Sequence, residues 1–112
     1  MDTVKRNYEL TYILPGSLTD NEVAQLKTQV EQILKKYNAQ ILKNEDWGRR
    51  PLAYTIVHEG KKQNEGVYTH IVLALEPSKA PPFEREVYLS NLVMRHLLVV
   101  AEEEAEEATP EA

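Results

Sequence analysis

At 112 residues the chain has room for one compact domain and not for two. It contains no cysteine, which excludes disulfides, thiolate zinc sites, iron–sulfur clusters and cysteine nucleophiles and fits a reducing cytosol. The net charge of −5 argues against a nucleic-acid partner until its distribution is read: residues 101–112 hold six of the 18 acids and no base, which leaves residues 1–100 with 13 bases against 12 acids.

That acidic end, AEEEAEEATPEA, has no large apolar residue to offset the entropy of ordering, so a flexible tail over 101–112 is expected behind a single domain over 1–100. No apolar run approaches the roughly 18 residues that cross a bilayer, and MDTVKRNYEL lacks a signal-peptide core. A cytoplasmic protein without a membrane partner is expected.

The first element spans about Lys5 to Leu14, where Tyr8, Leu10, Tyr12 and Leu14 recur with the period of a half-buried strand. Pro15-Gly16 stops it. A helix then opens on a capping box, Thr19 and Glu22, with Leu18 and Val23 placed as a hydrophobic staple. Val23, Leu26, Val30, Ile33, Leu34 and Tyr37 form its apolar stripe, and Asn38 suits a left-handed stop.

Residues 39 to about 59 read as a long strand interrupted by Trp47-Gly48-Arg49-Arg50-Pro51, where a glycine and a proline call for a bulge or an edge position. The polar stretch Glu59–Gly66 reads as a hairpin loop, and Val67–Leu75 as a returning strand apolar on both faces. Pro77 ends that strand, and Pro81-Pro82 fit only the first turn of a helix that carries Phe83 and Val87. Val93–Val100 is the last strand. The order β-α-β-β-α-β, with right-handed crossovers, predicts an α+β ferredoxin-like sandwich: a four-stranded antiparallel sheet, strands one and three central, both helices on one face.

Groups for catalysis do not converge. His58, His70 and His96 fall in three different strands without metal-ligand spacing, and Ser17, Ser78 and Ser90 lack a nucleophile elbow. Gly16, Gly48, Gly60 and Gly66 make no phosphate loop, and the adjacent Glu45 and Asp46 point to opposite faces of a strand. No enzyme activity, metal, cofactor or small-molecule substrate is expected. What remains suits binding. Lys5-Arg6, Arg49-Arg50 and Arg95, with the more exposed Lys61-Lys62, are interleaved with Tyr8, Trp47 and Tyr54, a pairing suited to RNA because guanidinium planes and aromatic rings both stack on bases. A strand bearing Trp47, Leu52, Tyr54 and Ile56 has more apolar surface than two helices on one face can cover, which invites a protein partner at an edge.

Three segments together resemble the bacterial small-subunit ribosomal protein six family: Arg6-Asn7-Tyr8-Glu9, Trp47-Gly48-Arg49-Arg50-Pro51-Leu52-Ala53-Tyr54, and Val93-Met94-Arg95-His96. The Gly-x-Arg-x-Leu-Ala-Tyr portion is the most specific, and the resemblance covers about residues 4–100. It implies a structural component of the 30S subunit that pairs with small-subunit ribosomal protein eighteen and binds the central domain of 16S ribosomal RNA. On that footing Lys5, Arg6, Tyr8, Arg49, Arg50 and Arg95 are expected to face RNA, and Trp47, Leu52, Tyr54 and Ile56 the protein partner. Pro51 and the glutamate tail depart from the family's pattern. The alternative from another class is a ferredoxin-like small-molecule sensing or protein-interaction module, for which Pro15-Gly16 supplies half of a glycine-bearing ligand loop.

Overall fold

Strand β1 (Arg6–Pro15) alternates as its sequence demands: Tyr8, Leu10, Tyr12 and Leu14 are buried, while Asn7, Glu9, Thr11 and Ile13 are half-buried on the other side. The structure is a computed structural model and describes residues 4–101. After β1 come α1 (Asp20–Lys36), β2 (Gln40–His58), β3 (Lys61–Leu75), a 3-10 turn (Pro77–Lys79), α2 (Ala80–Ser90) and β4 (Arg95–Val100). The sheet is antiparallel with order β2-β3-β1-β4. This is the expected α+β ferredoxin-like fold, with β1 and β3 in the middle.

Both helices cover the same face. Val23, Val30 and Leu34 of α1 and Phe83 and Val87 of α2 form one core with Tyr8, Leu10, Tyr12 and Leu14 of β1 and Val67, Ile71, Leu73 and Leu75 of β3. The other face carries no helix. The capping box of α1 is formed: the Glu22 amide donates to Thr19 Oγ1 at 3.2 Å, and the Thr19 amide donates to Glu22 Oε1 at 2.9 Å. Asn38 takes the left-handed stop, and Asn91 does the same behind α2, which begins with its prolines in the first turn.

Three boundaries differ from the sequence reading. The stretch expected as a loop over Glu59–Gly66 is a turn of only Glu59 and Gly60, both at positive φ, and Lys61–Gly66 belong to β3. Their polarity reflects an arm of the β2–β3 hairpin largely open to solvent, not a loop. Val93 and Met94 are buried lead-in residues, and β4 starts at Arg95. Ala101, read as tail, is buried and donates its amide to the Asn7 carbonyl at 2.8 Å. The rest of the expected tail lies outside the described residues.

The long β2 strand is broken as anticipated. Its register with β3 shifts between Ile41 and Lys43, between Asp46 and Gly48, and between Pro51 and Ile56. Gly48 takes φ +82 at the second of these, a conformation that needs no Cβ. At the third, Leu52–Thr55 bulge away from the ladder opposite Asn64, whose side-chain oxygen accepts from Thr55 Oγ1 at 2.8 Å. The loop after β1 is held by close approach: a Cβ on Gly16 would stand 2.5 Å from the Glu65 carbonyl oxygen, to which the Gly16 amide donates at 3.0 Å.

Two stability measurements follow from this packing. Gly16→Ala forces the β3 backbone away and is expected to cost about 1–3 kcal/mol, read as a lowered urea midpoint at unchanged slope. Burial pushes the Tyr12 hydroxyl from 10.0 up to about 12. A group whose pKa is raised on folding favours the native state below its unfolded pKa, and that stability is lost as pH rises through the folded value. The wild type is therefore expected to lose about 2–3 kcal/mol between roughly pH 10 and 12 that Tyr12→Phe does not lose; parallel alkaline profiles for the two would contradict this.

Candidate nucleic-acid and partner interface

The uncovered face of the sheet is lined by alternate residues of all four strands. Opposite Asn7, Glu9, Thr11 and Ile13 of β1 stand Ala74, Val72, His70 and Tyr68 of β3, and Glu9, Thr11 and Ile13 also face Val99, Leu97 and Arg95 of β4. The β2 bulge at Trp47 brings its ring onto the same face, where it stacks on His70 with centroids 5.0 Å apart and planes at 13°. Trp47 Nε1 donates to Glu45 Oε1 at 3.2 Å, and the Arg50 guanidinium sits 6.0 Å from the indole centre, at cation–π range. Arg50 Nε donates to the Trp47 carbonyl at 3.1 Å, which fixes its stem.

Around Arg95 lies a shallow cleft of about 180 Å³ bounded by Ile13, Leu52, Tyr54, Ile56 and Tyr68. Tyr54 is 70% exposed and Trp47 39%, whereas Ile56 is 7% exposed and forms part of the protein interior. The four-residue bulge after Pro51 is what presents Leu52 and Tyr54 here. Arg50 and Arg95 stand at one end of the open face, separated by three strand spacings and a two-residue offset, about 16 Å.

The other sequence-predicted RNA residues do not join them. Arg49 points to the helix side, where Nε donates to the Gly16 carbonyl at 3.1 Å and Nη2 to the Leu18 carbonyl at 2.8 Å, with Asp20 at 3.9 Å. It pins β2 to the β1–α1 loop. Tyr8 is 7% exposed in the core, so its ring offers no face to a base. Lys5 donates to the Asn38 carbonyl at 2.9 Å behind α1, and with exposed Arg6 it occupies the opposite end of the sheet. The seven-residue step from Arg6 to Ile13, the partner of Arg95, is about 23 Å. The basic residues expected to face RNA thus lie at two separate ends, Tyr8 is corrected to a core residue, and Ile56 is buried at the cleft beside Arg95.

The sequence reading also missed the company of His70. Its Nε2 lies 3.4 Å from Glu9 Oε1 and its Nδ1 3.6 Å from Glu45 Oε1, with Lys43 at 3.0 Å from Glu45 Oε2. His70 and these partners come from three strands, and only the register brings them together. The Lys43 ammonium, then the Trp47 N–H, hold the Glu45 carboxyl below the usual glutamate value. Asp46, its neighbour, turns to the helix side and meets Lys27 of α1 at 3.1 Å, so the two carboxylates do point apart. His96 meets Glu84 at 3.0 Å. Among the described residues no group of three acids and histidines could hold a metal ion, and no helix is long and apolar enough to cross a membrane.

The open sheet face brings together arginines, stacked rings and a shallow aromatic cleft, a surface whose chemistry suits binding. A family model described as ribosomal protein S6 matches residues 7–100. Among similar proteins, the small ribosomal subunit protein bS6 of Synechococcus elongatus is 36% identical over 95 residues, covering 85% of each chain. That of Ehrlichia canis is 38% identical over 90 residues, 80% of this chain and 79% of the relative. That of Desulforamulus reducens is 28% identical over 94 residues, 84% and 95% of the two. The crystal structure of 30S ribosomal protein S6 from Thermotoga maritima superposes with a TM-score of 0.82 over 96% of this chain and 99% of that one; at 23% identity it speaks for the fold. The chain belongs to the ribosomal protein S6 family. It is thereby a protein of the small ribosomal subunit, at work on the ribosome in the cytoplasm.

Trp47 is the single tryptophan in the chain and reports directly on this face. As pH falls through the lowered pKa of Glu45, the indole N–H loses its ionised acceptor. A change in Trp47 emission with its midpoint below pH 4.5, the unperturbed glutamate value, is expected while the far-ultraviolet circular dichroism stays native. Glu45→Gln is expected to abolish it; an identical transition in that variant would assign the signal elsewhere.

Proposed function

We propose that this protein is a non-catalytic structural component of the small subunit that binds the central domain of 16S ribosomal RNA together with small-subunit ribosomal protein eighteen. Family membership carries the reading, and the open face supplies chemistry that suits it. Arg50 and Arg95 flank aromatic rings, so phosphates can be gripped and bases stacked on the same surface. Trp47, Leu52 and Tyr54 are the side chains proposed for the protein partner, since the β2 bulges lift them clear of the core. Lys5 and Arg6 form a second basic contact at the far end.

The charge balance makes the RNA binding conditional. Counterion release scales with the phosphates neutralised, and residues 1–100 carry 13 bases against 12 acids, with Arg49 already held by the protein's own carbonyls. A basic partner would supply the missing charge. The small-molecule sensing alternative rests on Pro15-Gly16, and there Gly16 is packed against the Glu65 carbonyl, to which its amide donates at 3.0 Å.

Binding to a 16S central-domain fragment, measured with and without protein eighteen at two salt concentrations, tests the reading. Weak binding alone and tight, salt-sensitive binding of the pair are expected. Arg95→Ala and Arg50→Ala are each expected to lower the slope of log K against log salt by about one, while Arg49→Ala acts on stability and leaves that slope unchanged. Equal, salt-insensitive affinity with and without the partner would reject the proposal.

A further inference from the structure

The two edges of the sheet differ in how open each is to pairing with another strand. Edge strand β2 is a poor template for another strand: three register shifts break it, Pro51 lacks a donor, and Lys43, Glu45, Asp46, Arg49 and Arg50 load it with charge. Edge strand β4 has no register shift against β1 and no proline, and its one arginine, Arg95, stands at its start. From His96 to Val100 it reads His-Leu-Leu-Val-Val, its pairing with β1 runs without a shift, and Leu97, Val99 and Val100 are 61%, 42% and 45% exposed. Among the described residues, nothing pairs with its outer side.

The direction of each β4 group follows from one hydrogen bond. The Ala101 amide donates to Asn7 of β1, and amides along a strand alternate in direction. Those of Val99, Leu97 and Arg95 therefore point toward β1 as well, while the N–H and C=O groups of His96, Leu98 and Val100 point outward and unpaired by strand. We propose that β4 is a self-association edge at which a second copy of this chain adds antiparallel, Leu98 opposite its symmetry mate, to join two sheets across a two-fold axis.

The outward groups restrict the register to even-numbered residues opposite one another, and Leu98 opposite Leu98 is the choice that pairs all three of them. Leu98 pairs with Leu98 and His96 with Val100 as hydrogen-bonded pairs, which sets Leu97 of each copy opposite Val99 of the other as a non-hydrogen-bonded pair. Such pairs bring side chains closest, and both residues lie on the open face, where they are now exposed. Charge chooses the orientation. Arg95 begins β4 and the glutamates from Glu102 follow it in sequence, so an antiparallel neighbour sets Arg95 opposite Ala101 and next to the start of the partner's acid run. A parallel neighbour would set like charges together.

The association closes at two copies. Each chain offers one clean edge, and the broken β2 edge cannot extend the sheet further, so a dimer forms and not a filament. A six-residue strand is about 20 Å long and buries little area, which puts the pairing in the weak class.

Sedimentation equilibrium on the full chain tests this, with amide hydrogen exchange as a second readout. A monomer at roughly 10 µM and a substantial dimer fraction at roughly 500 µM are expected, as for an interface at the small end. Over the same range, exchange at His96, Leu98 and Val100 is expected to slow relative to other amides. Leu97→Lys and Val99→Lys, both at exposed positions, are expected to weaken association at least tenfold, whereas Leu89→Lys on the exposed side of α2 leaves it unchanged. A monomer throughout with concentration-independent exchange at those three amides overturns the proposal. So does association that survives both β4 variants or is lost in Leu89→Lys.

Discussion

Ten residues of β1 pair with β3 without a shift, from Arg6 opposite Leu75 to Pro15 opposite Gly66, and every other contact in the molecule is hung on that register. Side chains on a strand alternate, so a slip of one residue would move Tyr8, Leu10, Tyr12 and Leu14 from the helix side to the open face in a single step. The cost would fall on both strands, since Val67, Ile71, Leu73 and Leu75 of β3 share the same core. The register also decides what lies on the open face. His70 stands opposite Thr11, one position from Glu9 on the same face, only because of it, and Tyr68 meets Ile13 where Arg95 arrives from β4.

Much of this was legible in the residues. The β1 alternation, the Thr19–Glu22 capping box and the Asn38 stop are local signals, each readable within a few positions, and each is found as read. The interruption of β2 was legible too, because Gly48 and Pro51 cannot sit in a regular central strand. The extent of the hairpin was not. Polarity in Lys61–Gly66 marks a strand largely open to solvent as well as it marks a loop, and local sequence does not separate the two cases. The site was less legible than the fold. That Arg49 and Arg50 oppose each other follows from alternation, but which of them faces the helices depends on the bulge at Trp47. The meeting of Glu9, Glu45 and His70 exists only across strands. Tyr8 had the phase of Leu10, and that phase, rather than its neighbouring arginine, decided its place.

Charge and burial divide the labour among residues that look alike in sequence. Of the basic side chains singled out, Lys5 and Arg49 donate to carbonyls that the chain itself leaves at loop ends. There they supply partners to carbonyls that neither the ladder nor a helix satisfies. Arg50 and Arg95 stand instead beside aromatic surface. A guanidinium over an indole keeps several donors directed outward while its flat face is covered, so Arg50 is held in place without being saturated. The acids of the open face are held in the same way. Glu45 receives Lys43 and Trp47 together, which keeps it ionised and fixes the ring that stacks on His70.

The irregular stretch of β2 separates exposed apolar side chains from those the core needs. A regular edge strand would set Leu52, Tyr54 and Ile56 all on the face of Arg50, and would expose a continuous row of backbone donors. The bulge between Pro51 and Ile56 removes both consequences at once. It lifts a short apolar segment out of the ladder, and it leaves Ile56 to return to the interior opposite Gln63. The ladder bonds forgone lie at the margin of the sheet, where water satisfies the freed groups, so the loss weighs little against the core. Strand β4 shows the contrary solution, a short edge kept regular and apolar. One sheet thus has one edge broken by irregularity and one edge that runs regular and apolar. That asymmetry follows from the placement of one glycine and one proline in β2 and their absence from β4.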